Sequence, residues 1–167
     1  LVADKKIRKK LNFFKKNNYQ KYQLSFTLQE LKPKVPIALN NGHESFIHLN
    51  KLTRYNESIY NFDDYITPFR CNAADILSGN EIIFKEGSLS KSLRCSSSIP
   101  SVFSPVIDNN MLLVDGGVLN NLGIDIAKNL GADIIIAVDV SSQIKKNEDI
   151  VDVFDVLSQT IQLNALN

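Results

Sequence analysis

The chain has 167 residues, 44% hydrophobic and 22% charged, which suits one globular domain with a single sizeable core. Its net charge of +1 joins two unlike parts: residues 1–34 carry ten Lys or Arg against two acids, and the remainder nine against sixteen. Two cysteines, Cys71 and Cys95, with no C-x-x-C, exclude a disulfide framework and give no metal signature, and no apolar run approaches the roughly eighteen residues of a membrane span.

In chain order, Asp4 to about Asn17 predicts a basic amphipathic helix with Ile7, Leu11 and Phe14 on one face. Such a helix is a solvated surface element or a surface facing anionic lipid or another anionic partner. Tyr22 to Thr27 reads as a strand, and Pro33 and Pro36 break regular structure after it. Asn41-Gly42 marks a turn before a helix from His43 to Arg54, and a polar, Tyr-rich loop runs to Thr67.

The stretch "FRCNAADILSGNEIIF", 69–84, predicts two strands joined at Ser78-Gly79-Asn80. "GSLSKSLRCSSSIP" supplies a helix start near Ser88 and a stop before Pro100. Val106-Ile107, the turn Asp108-Asn109-Asn110 and Met111 to Val114 make a second hairpin, which ends on Asp115-Gly116-Gly117. "LGIDIAKNL" predicts a short helix stopped by Gly131. The apolar run "ADIIIAVDV" predicts a strand, Ile134 to Val138, covered on both faces in a parallel sheet. A last helix, about Asp149 to Leu166, aligns Ile150, Val153, Phe154, Leu157 and Ile161. Strand, helix and buried strand in succession point to a layered α/β fold.

Several sites are excluded by spacing. The seven glycines stand at 42, 79, 87, 116, 117, 123 and 131. None is two or four from another and none precedes Lys, so the G-x-G-x-x-G loop, the G-x-S-x-G elbow and the P-loop are all missing. His43, Glu44 and His48 miss the helical zinc pattern, because the histidines are five apart rather than four. With no other histidine, a Ser-His-Asp triad has little to draw on. Asp139 reads as a strand-end acid satisfied by nearby backbone, since the glycine loop of a nucleotide site is missing. Cys71 and Cys95 read as small buried side chains. Asp115 stays open as a turn residue or a functional acid.

Residues 68–141 bear on that choice. The Pro-Phe-Arg strand with its Ala-x-Asp turn, then "RCSSSIPSVFSPV", "LLVDGG" and "GADIIIAVDV", stand in the order of a patatin-like phospholipase domain, which the segment strongly resembles. Residues 1–67 resemble it only loosely. The resemblance implies a layered α/β/α fold with a central, mostly parallel sheet, incomplete in this chain. It also implies lipid acyl-ester hydrolysis by a Ser-Asp dyad without metal or organic cofactor.

By the same match Asp115 is the proton acceptor of the dyad, and Gly116 and Gly117 complete the motif. A carboxylate in a dry pocket has a raised proton affinity and can take the serine proton without histidine. The pattern departs from the family at Gly123, where relatives carry proline after "NNL", and at Cys95 and Ser97.

The chain opens on Leu1, shows no signal peptide, and lacks the elbow serine and the oxyanion loop. It is therefore expected to be the C-terminal part of a catalytic domain, cut just after the nucleophile helix, and inert alone. The expected partner is a phospholipid or other lipid ester, with peripheral membrane contact and no nucleic acid. A membrane-associated or exported parent protein is compatible with the sequence. The rival readings are a non-catalytic relative serving as a binding or scaffold module, and a lipid-surface adaptor using the basic helix.

Overall fold

The computed structural model describes residues 27–29, 32–34, 38–140, 144–151 and 153–164. The expected helix over 4–17 and most of the expected strand over 22–27 lie outside the described residues. Strands β1 (Thr27–Gln29) and β2 (Lys32–Lys34) form an antiparallel pair that sets Leu28 opposite Pro33. Pro33 therefore sits within a strand rather than ending one. A two-stranded ladder leaves each strand an unpaired side, so a residue without an N–H is tolerated there.

Helix α1 (His43–Thr53) runs on as a 3-10 turn, Arg54–Asn56. Gly42 caps it at φ 72°, and a side chain at Gly42 would overlap the Arg94 guanidinium. Both the backbone and the space therefore require glycine. Ahead of the sheet, Phe62 is fully buried, its ring centroid 5.5 Å from Tyr65 and 6.0 Å from Phe69.

The two predicted hairpins form as read. They comprise β3 (Cys71–Asp75) with β4 (Glu81–Phe84), and β5 (Val106–Asp108) with β6 (Met111–Asp115). Asn109 and Asn110 take φ of 44° and 65° between β5 and β6, a left-handed pair that matches the twist of a tight hairpin. The hairpins join through β3 and β6 into one four-stranded antiparallel sheet, ordered β4-β3-β6-β5, with Ala73 opposite Asp115 and Asp75 opposite Leu113.

Helix α2 (Leu89–Ser96), capped by the Ser88 side chain, covers one face of this sheet. Cys95 meets Ala73 and Leu113 there, all three fully buried, with Ile82, Phe84, Val106 and Met111 around them. Full burial of Leu113 contributes about 2 kcal/mol by transfer alone.

Helix α3 (Ile124–Asn129) is shorter than its pattern and ends as expected. Gly131, at φ 88°, donates to the Lys128 carbonyl at 3.0 Å, and Ala132 donates to Ala127 at 3.4 Å, the paired bonds of a Schellman close. Helix α4 (Val153–Asn164) starts later than expected, after a separate 3-10 turn at Asn147–Asp149, and lies beside Gly116–Val118.

The segment Ile134 to Val138 is not a strand. Ile134, Ile136 and Val138 are 84%, 86% and 71% exposed, and the segment joins no ladder among the described residues. An apolar run signals a demand for cover on both faces, but it cannot by itself supply the neighbouring strands. The β3–β4 and β5–β6 ladders are antiparallel because short hairpins close them locally, whereas a parallel pair needs a long crossover.

Candidate active site

Asp115 is the last residue of β6 and the cap of the 3-10 turn Gly116–Val118. Its backbone is held from both sides at the strand end. Its N–H donates to the Ser98 carbonyl at 3.0 Å, and the ladder places it opposite Ala73. The register puts its side chain on the face that α2 covers. The carboxylate accepts a hydrogen bond from the Gly117 N–H at 2.9 Å.

Burial raises the Asp115 carboxyl above the ordinary carboxylate range, and the Gly117 bond opposes this in part. A half-buried carboxylate of raised proton affinity is suited to accepting a proton from a hydroxyl.

Both glycines of the motif answer to close approach. A Cβ at Gly116 would overlap the Asn72 side chain and stand 2.6 Å from the Asn72 carbonyl oxygen. A Cβ at Gly117 would stand 2.9 Å from Asn121 Oδ1 and 3.2 Å from Asp115 Oδ1. The second glycine therefore keeps a side chain off the carboxylate.

The serines after α2 differ among themselves. Ser98 is fully buried, its hydroxyl donating to the Arg94 carbonyl at 2.7 Å and accepting from the Arg94 guanidinium. Ser97 is exposed and donates to the Arg94 carbonyl at 3.3 Å.

Arg94 is buried and knits three elements together. It donates to the carbonyls of Asn41 at 3.2 Å and Ser104 at 3.1 Å, and its guanidinium lies 5.3 Å from the Phe103 ring centroid. An open cleft of about 420 Å³ between α1 and α2, lined by His43, Phe46, Lys91 and Arg94 among others, does not include Asp115.

A second carboxylate, Asp75, shares the β3–β6 ladder. It accepts from the Ser78 hydroxyl at 2.6 Å and from the N–H groups of Leu112, Leu77 and Ser78 at 2.9, 3.2 and 3.3 Å. These bonds, the Ser78 hydroxyl first, hold its carboxyl below the ordinary range. It ties the β3–β4 turn to β6.

The other sequence candidates scatter. His43, Glu44 and His48 are exposed on α1, and Asp139 is exposed after the Ile134–Val138 run. Cys95 is buried and Cys71 half-buried. Burial pushes their thiols up to about 11 and about 12, with the neighbouring Asp108 also raising Cys95 and the thiol of Cys95 raising Cys71. Thiols of that kind are poor nucleophiles. Asn72 went unread in the sequence. Its signal was a polar residue at an inner position of a short apolar strand.

Comparison with known proteins identifies the family. The sequence pattern described as Patatin-like phospholipase matches residues 4–128, about three quarters of the chain. The chain belongs to the patatin-like phospholipase family.

Among its relatives, Lysophospholipase NTE1 of Phaeosphaeria nodorum is 36% identical over 80 residues, 48% of this chain and 5% of the relative. Patatin-like phospholipase domain-containing protein 7 of Mus musculus is 33% identical over 114 residues, 64% of this chain and 8% of the relative. An uncharacterized NTE family protein of Mycobacterium bovis is 50% identical over 50 residues, 30% of this chain and 9% of the relative. The chain thus spans less than a tenth of the length of these relatives.

Proposed function

We propose that this chain carries the base of a lipid acyl-ester hydrolase, with Asp115 as proton acceptor of a Ser-Asp dyad. The observation that carries the reading is the Asp115 carboxylate, half-buried at a strand end, raised in proton affinity by its burial and kept clear of side chains by Gly117. Family membership supplies the reaction class, and the lysophospholipase relatives favour phospholipid or lysophospholipid esters as substrates.

In the proposed cycle a serine hydroxyl attacks the ester carbonyl as Asp115 takes its proton. Asp115 then returns that proton to the leaving alcohol, and water repeats the sequence to release the fatty acid. The 167 residues contain no G-x-S-x-G, so the serine is assigned to another part of the complete protein. The same reading assigns Ile134–Val138 to a buried strand of a parallel sheet, flanked by strands from beyond the described residues. The exposure of its isoleucines supports this, since such a run gains about 25 cal/mol for each Å² covered.

The test is fluorophosphonate labelling of the complete protein and of the 167-residue chain under native conditions. Labelling of one serine outside this chain, with none inside it, is expected. Stoichiometric labelling of Ser96, Ser97 or Ser98 would overturn the assignment. No labelling in either sample would favour a non-catalytic module.

A further inference from the structure

We infer that Asn72 is a positioning residue for Asp115, clamping the turn that aims the carboxylate from the opposite face of the sheet. The inference rests on the reading of Asp115 as the dyad base.

Asn72 is the second residue of β3, and alternation along the strand turns its side chain away from α2. Its Nδ2 donates to Glu81 Oε1 at 2.7 Å and to the Asn120 carbonyl at 2.9 Å. Both partners only accept, so the amide nitrogen is fixed toward them. Its Oδ1 then fills the space over Gly116.

Asn72 therefore holds the turn at two points. It packs against Gly116 at the start and bonds Asn120 at the end, while the Asn120 and Leu119 N–H groups close back onto the Gly116 carbonyl at 2.9 and 3.0 Å. Inside that closed turn lies the Gly117 N–H, which donates to Asp115. Moving the turn moves this donor and opens the carboxylate to water.

Other charged groups reach the same structure from three of the packed elements. Glu81 comes from β4 through Asn72, Asp125 from α3 through the Asn120 amide at 2.8 Å, and Arg94 from α2 through Ser98. Asn72 joins Glu81 to the turn, and Asn120 joins Asp125 to it directly.

The experiment compares wild type, Asn72→Leu and Glu81→Leu in the complete protein. It follows the Asp115 carboxyl by ¹³C NMR across pH, the signal being assigned by its loss in Asp115→Asn, and measures hydrolysis of a lysophosphatidylcholine micelle. Leucine keeps the branching at Cγ and the heavy-atom count of Asn72 without its hydrogen bonds. The Asp115 midpoint should fall toward the ordinary carboxylate value as water enters. The turnover number should fall about tenfold to a hundredfold, the scale of a misplaced catalytic group, while KM stays within about twofold.

Glu81→Leu frees the Asn72 amide without touching the turn and should shift both readings in the same direction by less. It carries the test if Asn72→Leu does not fold. An unchanged Asp115 midpoint and turnover in the folded variants would overturn the inference. A wild-type protein that hydrolyses no ester would instead overturn the dyad, and the NMR titration would still show whether Asn72 governs the carboxylate.

Discussion

Asp75 and Asp115 stand on paired strands, two positions apart in register and on the same sheet face, yet their carboxyls are pushed in opposite directions. Asp75 has four hydrogen-bond donors from three residues, and its charge is the stabilised form. Asp115 is half-buried and has the Gly117 N–H, and its burial raises its proton affinity. The difference separates a carboxylate that holds the fold from one available for proton transfer.

The two acids should therefore give opposite pH dependences of stability. The folded-state value of Asp75 is lowered, so its contribution is present above the unfolded value and is lost as pH falls through the folded one. The folded-state value of Asp115 is raised, so its contribution is present below the unfolded value and is lost as pH rises through the folded one. Urea unfolding across acidic to neutral pH should show Asp75→Asn destabilised at neutral pH, with the deficit shrinking in acid. Asp115→Asn should be at least as stable as wild type at neutral pH. Parallel curves for both variants would refute the separation.

Gly116→Ala should destabilise the protein by about 1–3 kcal/mol, the range for forcing extra volume into a packed site. The new methyl meets the Asn72 backbone as well as its side chain. Gly117→Ala, whose methyl meets Asp115 Oδ1 and the end of Asn121, should cost less stability and proportionally more activity. Denaturant midpoints and turnover measured on both variants check the ordering.

Leu113→Ala should cost about 2–5 kcal/mol, because the side chain is fully buried between α2 and β3. Ile107→Ala, on the same sheet but 80% exposed, should cost within about 0.5 kcal/mol, as surface changes usually do. Equal losses in thermal unfolding would place the core elsewhere.

Ile136→Lys should leave the unfolding midpoint of the isolated chain nearly unchanged and reduce its self-association in light scattering. Ile136 is exposed in an apolar run, and a charge there interrupts edge pairing. If the same change in the complete protein is strongly destabilising, the run is buried there, as the parallel-sheet proposal requires.

The hairpins, the α2 start at Ser88 and the Gly131 close were legible because each depends on a few adjacent residues. Asn109-Asn110 sets one turn, a side-chain oxygen caps one helix, and a glycine ends another. Asp115 was singled out by the strand-Asp-Gly-Gly pattern together with the family resemblance. The parallel placement of Ile134–Val138 was not decided locally, since it depends on neighbours that a strand cannot encode in itself. The α4 start was misplaced because Asp149 ends its own 3-10 turn. Asn72 was missed because its role lies in contacts to Glu81 and Asn120, nine and forty-eight residues away.

The central claim is that Asp115 accepts the serine proton, and the turnover number of Asp115→Asn in the complete protein tests it most directly. Asparagine keeps the shape and the acceptor for Gly117 but cannot take the proton. The loss should be about a hundredfold to ten-thousandfold, with the fold and lipid binding little changed. The control is Asp139→Asn, at an exposed position after the Ile134–Val138 run, which should leave turnover within severalfold. Equal losses in the two variants, or unfolding of Asp115→Asn, would contradict the dyad and leave Asp-Gly-Gly a structural turn.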